Sequence, residues 1–451
     1  MSAIDPGSSA LLTDYYQLTM LKSYFESGMN ETAAFEFFVR KLPRTRNFLV
    51  AAGLEPALQF LEDLHFSSPE LEWLGRQPGF PKAFIDWLAE LRFNGEVDAM
   101  PEGTVFFSDE PILRVVAPLP VAQLVETRLV ALLNFSSLIA SKAARNVLAA
   151  PGKLLVDFGL RRAHGSEAGL LAARSAYIAG FDGTATVLAG KRYGIPLYGT
   201  MAHSFIQAHE NEVEAFLAFA RGHPDNTTLL IDTYDTERAA AKVVALMPRL
   251  LAEGIRVKSV RLDSGDLAEH ARKVRRILDE GGYPGVRIFA SGGLDEHELA
   301  RLSRAPIDGF GVGTSLVTSS DAPAFDCAYK LQEYAGRACR KRSEGKATWP
   351  GRKQVFRVLD DEGRLERDLI ALDSEQHPGA PLLQAVMRAG SRLAPAPTLA
   401  DTRARTLLEL RALPVELMSL ERFEPGYRVD VAASLKALAD EVDERERSAA
   451  L

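Results

Sequence analysis

Apolar and polar positions follow two different rhythms along this chain. Up to about Leu124, short strand-like runs such as Ala33–Val39 and Thr104–Phe107 are mixed with amphipathic stretches such as Pro81–Leu91. That irregular mixture predicts an α+β domain over residues 1–124. A helical stretch follows from Val121 to about Ala150, with Leu124, Leu129, Leu132 and Leu133 as its apolar face. From Leu154 the pattern becomes regular. Apolar runs ending in Gly, Asp or Thr recur as LLVDFG (154–159), TVLAG (186–190), IPLYGT (195–200), TLLIDTYD (228–235), VKSVRLDSGD (257–266), VRIFASGG (286–293) and IDGFGVGTS (307–315). Helix-like segments separate them, among them Glu167–Ala179, Glu237–Glu253, Asp266–Glu280 and Asp295–Arg304. Continuous apolar strands alternating with helices predict a parallel sheet, here an irregular α/β (TIM-like) barrel within residues 125–325. Residues 326–451 begin with a basic run, YKLQEYAGRACRKRSEGKATWPGRKQVFR (329–357). A Pro- and Ala-rich loop near 378–399 and a helical tail ending in DEVDERER complete the chain.

Composition narrows the partners. A net charge of −7 over 451 residues offers no broad basic field, which argues against nucleic acid and anionic membrane surfaces. Cys327 and Cys339 are the only cysteines and form no CxxC pair, so two free thiols in a reducing compartment are expected. The N-terminal segment MSAIDPGSSALLTDYYQ lacks the pattern of a signal peptide, and no apolar run reaches about eighteen residues. These features predict a cytoplasmic protein. Neither GxGxxG nor GxxxxGK[ST] occurs, which weakens the Rossmann and P-loop alternatives.

In α/β barrels the chemistry sits beyond the C-terminal ends of the strands, and the polar residues of this chain gather there. LLVDFG leads into Arg161, Arg162 and His164; IPLYGT into Met201, Ala202 and His203; TLLID ends in Asp232, Thr233 and Tyr234; VRLDSGD supplies Arg261, Asp263 and Ser264. Such a set suits an anionic substrate carrying phosphates and a hydroxylated sugar. Asp266 and Asp295 open helices, and N-capping alone accounts for them. Asp232 and Asp263 end apolar runs, where carboxylates are rare unless they have partners or a task. Gly311, Gly313 and Thr314 offer backbone N–H groups and a hydroxyl to a phosphate after a late strand. The histidines show no metal-ligand spacing of the HExxH kind.

The motifs LLTDYYQLTM, FEFFVRKLP, DFGLRRAHG, AGFDGTATVLAG, GTMAHSF, LLIDTYDT, VRLDSGDL, FASGGLDE, GVGTSLVTS and GKATWPGRKQVFR together resemble nicotinate phosphoribosyltransferases over nearly the whole chain. The family is similar to type II phosphoribosyltransferases, which implies an N-terminal α+β sandwich ahead of the barrel and a homodimer with shared active sites. The resemblance implies a reaction of nicotinate with phosphoribosyl pyrophosphate, coupled to ATP hydrolysis through a phosphohistidine at His203. It further implies that Asp232 orients that ring and that Asp263 holds Mg²⁺ or ribose hydroxyls. Tyr16 from a neighbouring subunit and Phe158 would sandwich the pyridine ring. Arg161 and Arg261 would meet the nicotinate carboxylate or sugar phosphates, with Thr200 beside them. Gly311, Gly313 and Thr314 would receive the 5-phosphate, and Lys346 and Lys353 would close over phosphates. Nicotinamide enzymes of this type carry an aspartate where this chain has Ala185, which favours nicotinate. The alternatives are a nicotinamide or quinolinate phosphoribosyltransferase and, from another class, a phosphate-binding TIM-barrel isomerase or aldolase; no barrel strand above ends in the lysine that a Schiff-base mechanism needs.

Overall fold

The strand Thr32–Val39 is buried at every position after the first because it lies inside a sheet, with neighbours on both sides. In the computed structural model, which describes residues 9–449, it pairs antiparallel with Cys327–Tyr334 on one side and Pro111–Pro118 on the other. Residues 1–8, which include the start of the segment expected to hold no signal peptide, and residues 450–451 lie outside the described residues. The full sheet has seven strands, in the order Arg337–Ala338, Cys327–Tyr334, Thr32–Val39, Pro111–Pro118, Glu96–Ala99, Gln384–Arg388 and Ser391–Arg392. Alternation along Thr32–Val39 gives its two faces different work. Phe35 stacks on Tyr329 with ring centres 5.0 Å apart, whereas Glu36 stands on the other face opposite Arg114, which is itself opposite Asp98. Arg114 and Asp98 are paired at 2.8 Å, both largely buried.

A second sheet of four strands contains the hairpin Lys353–Leu359 and Leu365–Leu372, flanked by Ala380–Pro381 and Val429–Val431. The sequence pattern does not mark this hairpin, whose start lies within the basic run 329–357. Nor does it mark Gln384–Arg388, which lies within the expected loop 378–399 and joins the seven-stranded sheet. Leu399–Arg411 and Ala433–Ala449 are helices.

The chain divides into two compact units, one formed by the described parts of Met1–Ser141 and Asp321–Leu451, the other by Lys142–Ser320. The division between them lies at 141/142, inside the helix Glu126–Ala149, and not at the expected 124/125. Side chains along that helix explain the shift. Ser137 and Ser141 accept hydrogen bonds from the amides of Ala52 and Val50, but Lys142 and Arg145 both pair with buried Glu296. The far boundary, expected at 325/326, falls at 320/321, where Asp321 pairs with buried Arg46.

The second unit is built on six parallel strands: β1 Leu154–Asp157, β2 Gly183–Thr184, β3 Thr227–Leu230, β4 Val257–Leu262, β5 Arg287–Ser291 and β6 Gly309–Val312. Their order is β2–β1–β6–β5–β4–β3, a parallel half-barrel with β2 and β3 at its edges. The helices between them follow the expected spans. Leu267–Glu280, for instance, buries Leu267, Ala271, Val274 and Leu278, the spacing of one helical face. Asp235, Asp266 and Asp295 each accept backbone N–H bonds at a helix start, as N-caps do. Two of the seven expected strands are different. TVLAG lies mostly in the helix Val187–Tyr193, and IPLYGT contributes only a bridge from Leu197 to Thr184. A run as short as TVLAG fits a strand or a helical turn equally well, and the exposed Val187 and Leu188 belong to no sheet.

Candidate active site

Every strand of the half-barrel delivers its polar residues to the same end, since parallel strands share one direction. The centre of that end is Arg261, the fifth residue of β4. Its Nε donates to Ser291 Oγ at 2.9 Å, one terminal nitrogen to Thr200 Oγ1 at 3.0 Å and the other to Asp263 Oδ1 at 2.7 Å. This three-way grip fixes the guanidinium plane, which stands 5.6 Å from the centre of the Phe158 ring, within cation–π range. Phe158, the first residue after β1, leans on Phe289 at 5.8 Å between ring centres. A Cβ on Gly311 would collide with the Phe158 ring. That glycine therefore makes room for the aromatic platform, in addition to any role its N–H has.

Asp263 follows β4 directly. Its Oδ1 accepts from Arg261 and Ser291, while Oδ2 lies 3.9 Å from His203 Nε2. Burial alone would raise the pKa of this carboxyl. The hydrogen bonds from Ser291 and Arg261, with the positive charge of Arg261 and the influence of His203, outweigh it and hold the pKa below the usual carboxylate value. Asp263 is thus a carboxylate across the working pH range. Gly292, at φ +100, allows the backbone of the loop after β5 to approach the Asp263 carbonyl, where any Cβ would clash.

His203 begins the five-residue helix His203–Gln207. Its Nδ1 is 3.1 Å from Thr233 Oγ1, so the ring is held on one side by a hydroxyl and faced on the other by a carboxylate. The expected orienting role of Asp232 is not what the structure has. Asp232 Oδ2 instead accepts from the Asp263 amide at 2.9 Å and from Ser264 Oγ at 2.6 Å. Its other oxygen, Oδ1, is buried without a partner. Asp232 therefore braces the loop that carries Asp263, and Thr233 contacts the histidine. Sequence reasoning missed Ser291 and the positioning role of Thr233, although both stand at strand ends beside residues that it selected.

The remaining candidates are distributed as follows. Arg161 is exposed in the single turn Leu160–Arg162 that follows Phe158. Gly313 caps, and exposed Thr314 begins, the short helix after β6. Ala185 is exposed just past β2, its N–H bonded to the Asp157 carbonyl. Tyr16 and Lys346 belong to the first unit, and both are exposed. Lys353 does not fit its expected role. It is 3% exposed, its ammonium pairs with Glu36 at 2.7 Å and donates to the carbonyls of Trp349 and Gly351. A lysine so enclosed cannot close over a substrate phosphate. Among the described residues no group of three or more His, Cys, Asp or Glu could hold a metal ion, and no helix is long and apolar enough to cross a membrane.

A half-barrel whose strand ends present a fixed guanidinium over an aromatic ring, an ionised aspartate and a histidine defines an enzyme acting on an anionic, ring-bearing substrate. Comparison with known proteins makes this specific. The profile of the nicotinate phosphoribosyltransferase N-terminal domain matches residues 11–134, and that of the nicotinate phosphoribosyltransferase family matches residues 154–343. Nicotinate phosphoribosyltransferase pncB2 of Mycobacterium tuberculosis is 49% identical over 435 residues, covering 96% of this chain and 93% of the relative. The Bacillus subtilis nicotinate phosphoribosyltransferase is 41% identical over 379 residues, covering 82% and 77%. The crystal structure of human nicotinic acid phosphoribosyltransferase superimposes with a TM-score of 0.84 at 30% identity, covering 96% of this chain and 99% of that one. The chain belongs to the nicotinate phosphoribosyltransferase family.

Proposed function

We propose that this enzyme joins nicotinate to phosphoribosyl pyrophosphate, forming nicotinate mononucleotide and pyrophosphate and so salvaging nicotinate for NAD synthesis in the cytoplasm. The observation that carries the reading is the Arg261–Phe158 pair. Phe158 supplies a face for a pyridine ring, and the clamped guanidinium supplies positive charge beside it for a carboxylate or phosphate. In the transfer the pyridine nitrogen attacks C1 of the ribose as the C1–O bond to pyrophosphate breaks, and the protein contributes by alignment and charge. Mg²⁺ bound with the pyrophosphate would neutralise the departing anion. Asp263 Oδ2 and Asp232 Oδ1, the carboxylate oxygens with no hydrogen bond, would hold it, and a magnesium site needs only one or two carboxylates when phosphates supply the rest.

ATP coupling fits the surroundings of His203. In the tautomer that donates Nδ1–H to Thr233, Nε2 has a lone pair with which to attack the γ-phosphorus of ATP, releasing ADP; water later cleaves the phosphohistidine. His203→Ala is expected to abolish nicotinate-stimulated ATP hydrolysis and the acid-labile phosphoenzyme, yet leave slow, ATP-independent formation of nicotinate mononucleotide. Both products can be followed by chromatography with and without ATP. A phosphoenzyme persisting in the variant would remove His203 from this role. Failure of the wild-type protein to make nicotinate mononucleotide at all would overturn the function itself.

The proposed dimer with shared sites rests on exposed Tyr16, whose hydroxyl donates to Glu126 at 3.3 Å and whose ring is open to stack on a partner's substrate. Mixed dimers of Tyr16→Ala and Asp263→Ala chains should regain part of the activity that each lacks alone. No recovery after demonstrated subunit exchange would mean that one chain builds each site.

Selectivity for nicotinate over nicotinamide rests on Ala185. Aspartate there would set a negative charge against the substrate carboxylate and offer an acceptor to an amide. One charge-assisted hydrogen bond is worth about 1.5–3 kcal/mol, and about 1.4 kcal/mol is tenfold. Ala185→Asp should lower the kcat/KM ratio for nicotinate over nicotinamide by roughly ten- to a hundredfold, mostly through loss of nicotinate. An unchanged ratio in a folded variant would show that residue 185 does not face the ring substituent.

A further inference from the structure

Wholly within the first unit, a cavity of about 210 Å³ is lined by Phe38, Asp109, Gln332, Arg340, Trp349 and Lys353, among others. Its polar lining is not fully satisfied. Gln332 is completely buried, yet neither its amide nitrogen nor its amide oxygen has a hydrogen-bond partner. Buried amides are rarely left so, and each exception asks for a reason. The backbone suggests one. The pairing of Thr32–Val39 with Cys327–Tyr334 shifts register between Ala34 and Phe35, whose partners are Glu333 and Leu331, so Gln332 has no residue opposite it. A bulge of this kind re-aims a side chain out of the ladder, and bulges concentrate next to binding sites. The Gln332 carbonyl is meanwhile occupied by the amides of Cys339 and Gly351, which fixes the backbone while leaving the side chain unmatched.

The neighbouring groups specify the occupant. The Lys353 ammonium is taken by Glu36 and two carbonyls, so it offers no free charge. Arg340 keeps a buried Nε without a partner and meets Asp443 only at 3.6 Å. The lining also carries Asp109, whose carboxyl burial pushes up to about 6, so that a negative charge accompanies the positive one there at neutral pH. Phe38 and Trp349 contribute flat apolar walls. An amide with both ends free pairs with an edge that presents a donor beside an acceptor, as glutamine does with the N6–N7 edge of adenine. We propose that this cavity binds an uncharged planar heteroaromatic ring carrying an N–H donor beside an acceptor, the edge shared by adenine and by a pyridine carboxamide.

The test is a titration of the full-length protein with adenine and, separately, with nicotinamide, read by Trp349 fluorescence and by calorimetry. Saturable binding of either ring at sub-millimolar concentration is expected, and the arm that binds identifies purine or carboxamide. Gln332→Met keeps the length of the side chain and removes both hydrogen bonds. It should weaken that binding by roughly tenfold or more while leaving kcat/KM for nicotinate at the wild-type level. Trp349→Phe serves if the first variant does not fold; it should abolish the fluorescence change and retain the calorimetric heat. The proposal is overturned if neither ring binds at millimolar concentration, if Gln332→Met binds as the wild type does, or if the fluorescence change survives in Trp349→Phe.

Discussion

Asp263→Asn is expected to lower kcat/KM for nicotinate by about 10²–10³-fold, the scale on which one preorganised electrostatic partner contributes to catalysis. The substitution keeps the shape of the side chain and most of its hydrogen bonds. It removes the negative charge that holds Arg261 in place, faces Nε2 of His203 and leaves Oδ2 open. Three functions are lost together, so the effect should exceed that of removing Ser291 or Thr200 from the same guanidinium. Steady-state kinetics, with a melting curve to confirm folding, decide the matter. Activity within threefold of wild type would show that the carboxylate charge is not used and that Asp263 serves only to hold the loop.

Lys353→Ala should act in an entirely different way. It takes the ammonium from the Glu36 carboxylate, fully buried within the seven-stranded sheet, and loss of one partner from a buried ion pair costs about 3–5 kcal/mol. The urea transition of the first unit should fall accordingly, while the KM for phosphoribosyl pyrophosphate in the folded fraction stays at the wild-type value. The double substitution Glu36→Leu with Lys353→Met removes both charges and should recover much of the loss, because an apolar pair of similar volume needs no desolvated partner. A stable Lys353→Ala protein with a sharply raised KM would return Lys353 to the phosphate.

These two residues also mark where the sequence was legible and where it was not. Asp263 could be read because a carboxylate ending an apolar run is a local anomaly, visible within six residues. The helices of the half-barrel were equally local, set by apolar spacing and by Asp235, Asp266 and Asp295 as caps. Lys353 sits in a run of basic residues that looks solvated, and its burial is decided by Glu36, 317 positions away. No local pattern carries that information. The hairpin Lys353–Leu359 and Leu365–Leu372 was hidden by the same basic run. The exchange of roles between Asp232 and Thr233 has another cause. Adjacent residues at a strand end point in different directions, and only the strand's register settles which of them meets His203.

The first unit takes its central strand from one end of the chain and that strand's partner from the other. Thr32–Val39 is made early, but Cys327–Tyr334, which covers one of its edges, emerges roughly 290 residues later. At a ribosomal rate of about 5–20 residues per second, that edge waits roughly 15–60 s for its neighbour. Lys142–Ser320, a continuous segment, can fold during the interval. The early strand, apolar and lined with unpaired N–H and C=O groups, is meanwhile the part of the nascent protein most in need of a chaperone.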